Sequence, residues 1–239
     1  AAKLNPFHAQ TQNNLGAVFD AMARHEEAFE CFTKAFSLDP DYKTAEYNLA
    51  AVNLRNQNFV EGWKQRESRW ARETNDEWRP YLDTSRPLWD GSRVDRLYIW
   101  SEQGVGDEVM FASCFNDLKS KCNELFVSCS PRLIKLFERS FGDRIQFVDS
   151  EKGLSDDQFD CHAPALTATG LVRKKVQDFN FAAKPFLYAD SVAVQSIRRT
   201  IEQASGGKPI VGVSWLSKNK RVGRRRSIPL VELVAAIPE

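Results

Sequence analysis

The sequence predicts an α + α/β fold, with helical hairpins first and a mostly parallel β-sheet domain after them. The first 72 residues match themselves at an offset of 34 residues, the length of a two-helix repeat unit. From residue 95 onward, short apolar runs alternate with stretches of helical periodicity, which is typical of a sheet with crossover helices. At the start of that part, residues 96–121 (RLYIWSEQGVGDEVMFASCFNDLKSK) read as a buried strand, a glycine turn and a helix.

Composition limits the function classes. A chain of 239 residues with 42% hydrophobic content can hold a sizeable core, and two domains are expected. The net charge of +1 argues against nucleic acid or a membrane surface as a general partner. No apolar run approaches the roughly 20 residues that span a bilayer, and no secretory signal is visible.

The cysteines predict a reducing compartment. There are five of them, an odd number with no C-x-x-C pair, so we expect free thiols in a cytoplasmic protein rather than a disulfide framework. Cys161 and His162 are adjacent, but no other residue near them has metal-ligand spacing. No metal site is therefore predicted.

The N-terminal part, residues 1–72, is predicted to be about two helical hairpins. At the 34-residue offset the matched pairs are Asn14 with Asn48, Leu15 with Leu49, Ala17 with Ala51, Glu27 with Glu61, Phe29 with Trp63, and Phe36 with Trp70. This period and residue pattern resemble the tetratricopeptide repeat. The predicted helices are His8–Met22, Arg24–Ser37, Tyr42–Asn56 and Phe59–Arg72.

Two roles are open for these helices. Their concave surface could hold a protein or peptide partner, and the polar series Asn13, Asn14, Asn48 and Asn53, expected to be exposed, could grip a peptide backbone. Alternatively, the hairpins are a packing adaptor against the next domain, since so few repeats bury little surface alone.

Residues 73–94 form a predicted linker. It is polar but carries Trp78, Tyr81, Leu88 and Trp89, and rings of that size are unfavourable when left in water. We therefore expect the linker to wrap against one or both neighbouring domains.

Residues 95–207 are predicted to form a Rossmann-like sheet domain with right-handed crossovers. The predicted strands are Leu97–Trp100, Leu125–Cys129, Arg144–Val148 and Phe159–Ala163, with helices after the glycine turn, from Pro131 and over Pro164–Gly170. A further helix is expected over Val192–Gln203. Residues 208–239 then begin a second domain, with a strand over Pro209–Trp215 and a helix near Pro229.

The glycine turn is the first candidate site. Gly104 and Gly106 form only G-x-G, so the dinucleotide fingerprint is incomplete. Asp107 at or near the helix start would also repel a pyrophosphate. A carboxylate there is better suited to accept a proton from a hydroxyl group or to hydrogen-bond a sugar. Its residue type and position alone, however, favour an ordinary helix cap.

Three blocks, EQGVGDEVMFASCF, DCHAPAL and VGVSWLSKNKRVGRRRSIPL, resemble a bacterial family that joins tetratricopeptide repeats to a glycosyltransferase domain. That domain is related to ADP-heptose heptosyltransferases and, more distantly, to O-GlcNAc transferases. The resemblance implies a GT-B fold, in which two Rossmann domains face each other across a cleft. It implies Asp107 as the general base, with Gln103, Gly104, Gly106 and His162 near the acceptor. Asp160 and His162 would line the cleft, although a buried structural role for His162 is equally open.

The second candidate site is the segment from Ser214 to Ser227. It holds six Lys or Arg residues and leads into a predicted helix with Ser227 as its cap. Such a loop suits the diphosphate of a nucleotide sugar, and the family's Arg-Ser pair is matched here. The predicted phosphate-binding residues are Ser214, Lys218, Asn219, Arg226 and Ser227. A solvated basic loop is the alternative.

The two sites define two hypotheses. Only 30 residues follow Pro209, too few for a nucleotide-binding domain, so we expect a fragment of a longer parent. The first hypothesis is the acceptor-side part of a glycosyltransferase that moves a sugar from a nucleotide sugar to a protein or glycan, with the nucleotide sugar as substrate and no metal. The isolated chain would then be inactive. The second is a non-catalytic interaction scaffold.

Overall fold

The computed structural model describes residues 7–71, 81–179, 185–208, 210–217, 223 and 227–236. The chain divides into two compact units, with the boundary between Tyr188 and Ala189. The first unit combines four N-terminal helices with a parallel β-sheet and its crossover helices, which is consistent with an α + α/β fold.

Four helices form two successive hairpins at the start of the first unit. They are α1 (Ala9–Ala21), α2 (His25–Leu38), α3 (Lys43–Arg55) and α4 (Phe59–Arg66), and α4 continues as a 3₁₀ turn over Glu67–Trp70. Phe32 and Leu49 are central to the small core between them. A Cβ built on Gly16 would lie only 2.7 Å from the Phe32 ring, so the missing side chain allows α1 and α2 to cross closely. All four predicted helical segments are confirmed as helices.

The asparagine series is not exposed as predicted. Asn13 and Asn53 are buried, and Asn48 is half-buried. The Asn48 Nδ2 donates to Asn13 Oδ1 at 2.9 Å, and the Asn53 Nδ2 donates to Gln65 Oε1 at 2.8 Å. These amides hold neighbouring helices together, because a buried amide needs a partner inside the protein. Only Asn14 is exposed.

The sheet has four parallel strands in the order β3-β2-β1-β4. The strands are β1 (Val94–Trp100), β2 (Cys122–Cys129), β3 (Gln146–Asp149) and β4 (Cys161–Pro164). Leu97 of β1 is in register with Leu125 on one side and with Cys161 on the other. The four predicted strands in this domain are confirmed.

Different elements pack on the two faces of the sheet. Leu97 and Ile99 pack under the helices α5 (Val105–Phe111), α6 (Phe115–Lys119), α7 (Pro131–Phe141) and α8 (Ala165–Val172). Tyr98 and Trp100 point to the other face, where Phe126, Phe159, Trp70 and Leu82 join them. This split follows from the alternation of side chains along a strand. The helix predicted after the glycine turn is interrupted by a 3₁₀ turn, which separates α5 from α6.

The described part of the linker lies against β4. Leu88 forms a parallel bridge with His162, whose backbone N–H donates to Pro87 O at 3.1 Å. Trp89 N–H in turn donates to His162 O at 2.7 Å, and the Trp89 side chain is buried. The expectation that the linker wraps against a domain is confirmed for these residues. Trp78 lies outside the described residues.

The helices are joined to the sheet domain through α4 and α8. Trp63 Nε1 donates to Arg173 O at 2.6 Å. A Cβ on Gly170 would lie 2.9 Å from the Trp63 side chain, so the glycine lets the two helices touch. The Phe59 and Phe179 rings lie 4.7 Å apart between centroids. Helices and sheet are therefore packed as one compact body.

The second unit contains α9 (Ser191–Ser205) and α10 (Leu230–Ala235). Both predicted helices are confirmed. The prediction of a strand over Pro209–Trp215 is wrong for the described part, because residues 210–217 form no strand. Pro209 lies outside the described residues. An apolar run becomes a strand only where another strand pairs with it, and none does so among the described residues. No described helix has the length and apolar character needed to cross a bilayer.

Candidate functional site at the carboxyl edge of the sheet

The strand order reverses beside β1, because the chain passes from β1 to β2 and β3 on one side and then returns to β4 on the other. In parallel sheets, the crevice outside the carboxyl ends of strands at such a reversal is the usual ligand site. The glycine turn after β1 carries Gln103 and Gly104 and leads into the first turn of α5, which carries Gly106 and Asp107, and it lies at this edge.

Asp107 is the third residue of α5 and not its cap. The helix begins at Val105, Gly104 is the capping residue, and the Asp107 backbone N–H donates to Gly104 O at 2.9 Å. A carboxylate in the first turn interacts favourably with the helix dipole. Its side chain is partly exposed, so it is accessible to a ligand.

The two glycines of the turn border open space. A Cβ on Gly106 would have no heavy atom within 4 Å, and one on Gly104 would meet only Asp107 Oδ2 at 3.9 Å. Neither glycine has a positive φ, so the backbone conformation does not require glycine at either position. What the missing side chains provide is free access to the backbone beside Asp107.

Glu102 is buried directly behind this turn. Its carboxylate is paired with Arg69, whose Nε donates to Oε2 at 2.6 Å and whose Nη2 donates to Oε1 at 3.1 Å. Oε1 also accepts the backbone N–H of Leu166 at 3.0 Å, in the first turn of α8. Burial raises the pKa of the Glu102 carboxyl, and the Arg69 charge opposes that rise.

Arg69 reaches this position from the 3₁₀ turn after α4, and its side chain is completely buried. Besides Glu102, it donates to Thr167 Oγ1 at 2.8 Å and to Glu67 Oε1 at 2.7 Å. A final bond goes to Arg66 O at 3.3 Å. The turn after the helical hairpins thus supplies the counter-ion for a carboxylate at the carboxyl edge of the sheet.

Glu108 accepts a backbone N–H at the start of α7, as Glu102 does at the start of α8. It is buried, and its Oε2 accepts the backbone N–H of Ser130 at 2.9 Å, at the capping position of α7. A helix start is a ready site for an anion such as phosphate. Here the chain's own carboxylates hold N–H groups at the starts of two helices, which disfavours a phosphate at either one.

Two neutral polar atoms at this edge have no hydrogen-bond partner in the described structure. They are Gln103 Nε2, after β1, and Ser150 Oγ, after β3, and both atoms are buried. Buried polar atoms that lack a protein partner are usually satisfied by water or a ligand. These two atoms and the Asp107 carboxylate are polar groups that a ligand at this edge could engage.

His162 lies in the interior rather than at the open edge. Its side chain is buried in β4, and Nδ1 accepts the Trp100 Nε1–H at 3.0 Å. Burial lowers the pKa of the imidazole, so the neutral form is favoured. The Tyr81 and Phe159 rings pack edge-on to it. This arrangement matches the structural role that the sequence left open.

Asp160 lies at the opposite edge of the sheet from the one predicted. It precedes β4, and its carboxylate accepts Arg96 Nη2 at 2.7 Å and the Arg96 backbone N–H at 2.9 Å, near the start of β1. A residue at the amino ends of the strands cannot line a crevice at their carboxyl ends. Among the described residues, no group of three or more His, Cys, Asp and Glu side chains is arranged to hold a metal ion.

In the second unit, the structure describes only part of the predicted phosphate loop. Lys218, Asn219 and Arg226 lie outside the described residues. Ser214 is exposed. The Ser227 hydroxyl accepts the Ser217 N–H at 2.9 Å and donates to Gly223 O at 2.7 Å. Ser227 therefore closes this loop and does not cap α10, which begins three residues later at Leu230.

The chain is distantly similar to a known protein over part of its length. No protein-family model matches the chain. In an alignment of 133 residues that covers 54% of the chain, it is 32% identical to protein FlbA from Caulobacter vibrioides (strain ATCC 19089 / CIP 103742 / CB 15). The matched part spans 21% of the length of that relative.

Sequence reasoning missed Glu102, Arg69 and Glu108. A weak signal existed for Glu102, since a charged residue directly after a buried strand must be either solvated or paired. The sequence around Arg69 does not indicate that it pairs with Glu102, because Glu102 lies 33 residues further along the chain. Glu108 carries no local signal of its role either, because its contact to Ser130 depends on how α5 and α7 pack.

Proposed function

We propose that this chain is the acceptor-side part of a GT-B type glycosyltransferase, in which tetratricopeptide-type hairpins are fused to a Rossmann-like sheet. One observation carries the proposal. A partly exposed carboxylate, Asp107, stands beside two glycines that border open space, at an edge where Glu102 and Glu108 take the helix N–H groups. Such an edge suits a hydroxyl-bearing acceptor better than a nucleotide.

In this proposal Asp107 accepts the proton of the acceptor hydroxyl while the sugar moves from the donor to the acceptor oxygen with inversion. The nucleoside diphosphate leaves with the bonding electron pair. The Ser214–Ser227 segment and its cations would hold the diphosphate. The longer parent protein would supply the rest of the nucleotide-sugar half, and the helices would present a protein acceptor.

A non-catalytic scaffold is the second candidate, and a specific observation favours it. Glu102, two residues after β1, accepts the N–H of Leu166, two residues after β4, so the buried Arg69–Glu102 pair links the two strand ends at the reversal. In that case the helices and sheet form a single binding body, and Asp107 only stabilises the first turn of α5.

The deciding experiment uses the full-length parent protein. We expect it to transfer or hydrolyse a nucleotide sugar and Asp107→Asn to lower turnover at least 100-fold, because general-base catalysis contributes about 10²–10⁴-fold. The matched control is Asp143→Asn, an exposed carboxylate in the turn before β3.

The melting temperatures of both variants should stay close to that of the parent. Turnover that persists in Asp107→Asn would remove this residue from the mechanism. Calorimetric titration with UDP- and ADP-sugars separates the two functions, since no binding at millimolar concentrations would favour the scaffold.

A further inference from the structure

A groove of about 240 Å³ lies between α4 and α8 in the first unit. Its apolar lining comes from Val60, Trp63, Leu166 and Leu171, with Gly170 between them. None of the residues lining it belongs to the turn that carries Asp107. The volume admits one bulky side chain, whereas sites for drug-sized ligands are roughly 300 Å³ or larger.

Contacts within the protein keep the groove formed before any ligand binds. The Trp63 indole is fixed by its 2.6 Å hydrogen bond to Arg173 O. A Cβ on Gly170 would lie 2.9 Å from the Trp63 side chain, so α4 and α8 are already closely packed at this point. Val60 is 66% exposed at the mouth, which leaves an apolar surface in water. A pre-formed pocket of this kind binds without paying for reorganisation.

The charge around the mouth is positive. Lys64 comes from α4 and Lys174 follows α8, and within the described residues neither ammonium group forms an ion pair. Glu67 also lines the groove, and its carboxylate binds Arg69 at 2.7 Å and the Thr167 hydroxyl at 2.9 Å. Arg69 is shared with Glu102, so the groove has two lysines against one partly neutralised carboxylate.

We propose that this groove binds a short acidic segment of a partner protein, which inserts one apolar side chain between α4 and α8 and places carboxylates beside Lys64 and Lys174. Apolar burial would supply affinity, and the lysines would select for acidic neighbours of the anchor residue. A phosphate-rich polymer lacks the apolar anchor. The proposal does not depend on glycosyl transfer, so it holds or fails separately from the role of Asp107.

The test measures fluorescence anisotropy of a fluorescein-labelled decapeptide, with one central leucine flanked by aspartates, added to the 239-residue chain. We expect saturable binding that weakens as salt is raised. Changing the central leucine to glycine should weaken binding at least tenfold. The double variant Lys64→Glu/Lys174→Glu should do the same.

The matched control is Lys34→Glu/Lys135→Glu, which changes the net charge equally at two exposed lysines outside the groove. It should bind the peptide like the parent. No binding at 1 mM peptide, or an equal loss in both double variants, would overturn the proposal. The proposal would also be overturned if anionic phospholipid vesicles displaced the peptide from the parent chain while the Lys64→Glu/Lys174→Glu chain still bound the peptide. Thermal melts establish that each variant is folded.

Discussion

Arg69 brings a full positive charge into the interior of the first unit, where its side chain and that of Glu102 have no exposed surface. Removing two ions from water is expensive, and their attraction offsets the cost only when the remaining hydrogen bonds are satisfied. Here the guanidinium also binds Thr167 and Glu67, and the carboxylate also binds Leu166. The pair therefore fixes one arrangement of helices and sheet more than it adds stability.

Removing one partner tests this view. Arg69→Met should lower the free energy of unfolding by about 3–5 kcal/mol, because it leaves a buried carboxylate without its cation. Urea denaturation at pH 7 measures the loss. The control is Arg24→Met, which breaks an exposed pair with Glu27 on α2 and should leave the denaturation midpoint unchanged.

The pH dependence of the Arg69→Met effect has a defined sign. Burial already raises the pKa of Glu102 in the folded protein, and loss of Arg69 removes a charge that opposes the rise. Because the pKa of Glu102 is higher in the folded than in the unfolded state, its protonation stabilises the folded protein at low pH, and this contribution is lost as the pH rises through the folded value. The loss of unfolding free energy caused by Arg69→Met should therefore become smaller from pH 7 towards pH 5. A penalty that grows on acidification would contradict this account.

At the scale of elements, two glycines in short helices have opposite surroundings. Gly170 in α8 is pressed against Trp63, whereas Gly106 in α5 faces open space. In a helix, alanine is normally preferred to glycine by about 0.5–1 kcal/mol, because glycine loses more conformational freedom on folding. Only the packing around each position decides whether that preference is realised.

Gly170→Ala should destabilise the protein by about 1–3 kcal/mol, since its Cβ would force Trp63 away from α8. Gly106→Ala should instead be neutral or add up to about 1 kcal/mol. Thermal or urea denaturation compares the two variants directly. If the proposed nucleotide-sugar activity exists and Gly106→Ala abolishes it without lowering stability, close approach to the turn is a requirement of that activity. Equal effects of both changes on stability would disprove the packing argument.

Local signals explain which elements were predictable. The helices α1–α4 and the strands β1–β4 follow from periodicity and burial patterns that are written within each segment. The strand predicted over Pro209–Trp215 failed because strand formation needs a partner, which no local pattern provides. Asn13 and Asn53 were misjudged for the same reason, since side chains on neighbouring helices settle their burial.

The candidate site was predictable only in part. The glycine turn and Asp107 follow from a strand, two glycines and a helix in sequence. Glu102 and Glu108 could not be assigned, because their partners Arg69 and Ser130 lie 33 and 22 residues away. What decides the chemistry of this edge is thus a set of long-range contacts, and such contacts leave almost no trace in a single sequence.

On the scale of the molecule, the four helices and the sheet should unfold together. The Arg69–Glu102 pair, the Trp63–Arg173 hydrogen bond and the linker bridge at Leu88 all hold them in one compact unit. In hydrogen exchange followed by mass spectrometry, peptides from α3 and β1 should lose protection at the same urea concentration. Peptides from α9 should exchange earlier, because no residue of α9 is buried. Separate transitions for α3 and β1 would contradict this prediction.

The attachment of the last hairpin to the sheet also restricts how such a chain can evolve. Arrays of helical hairpins commonly gain and lose copies, because each copy contacts only its neighbours. The copy formed by α3 and α4 is not interchangeable in this way, since the turn after α4 carries Arg69 and α4 carries Trp63. We therefore expect duplication or deletion to be tolerated only upstream of this hairpin, because replacing the hairpin itself would leave the buried Glu102 carboxylate without its cation.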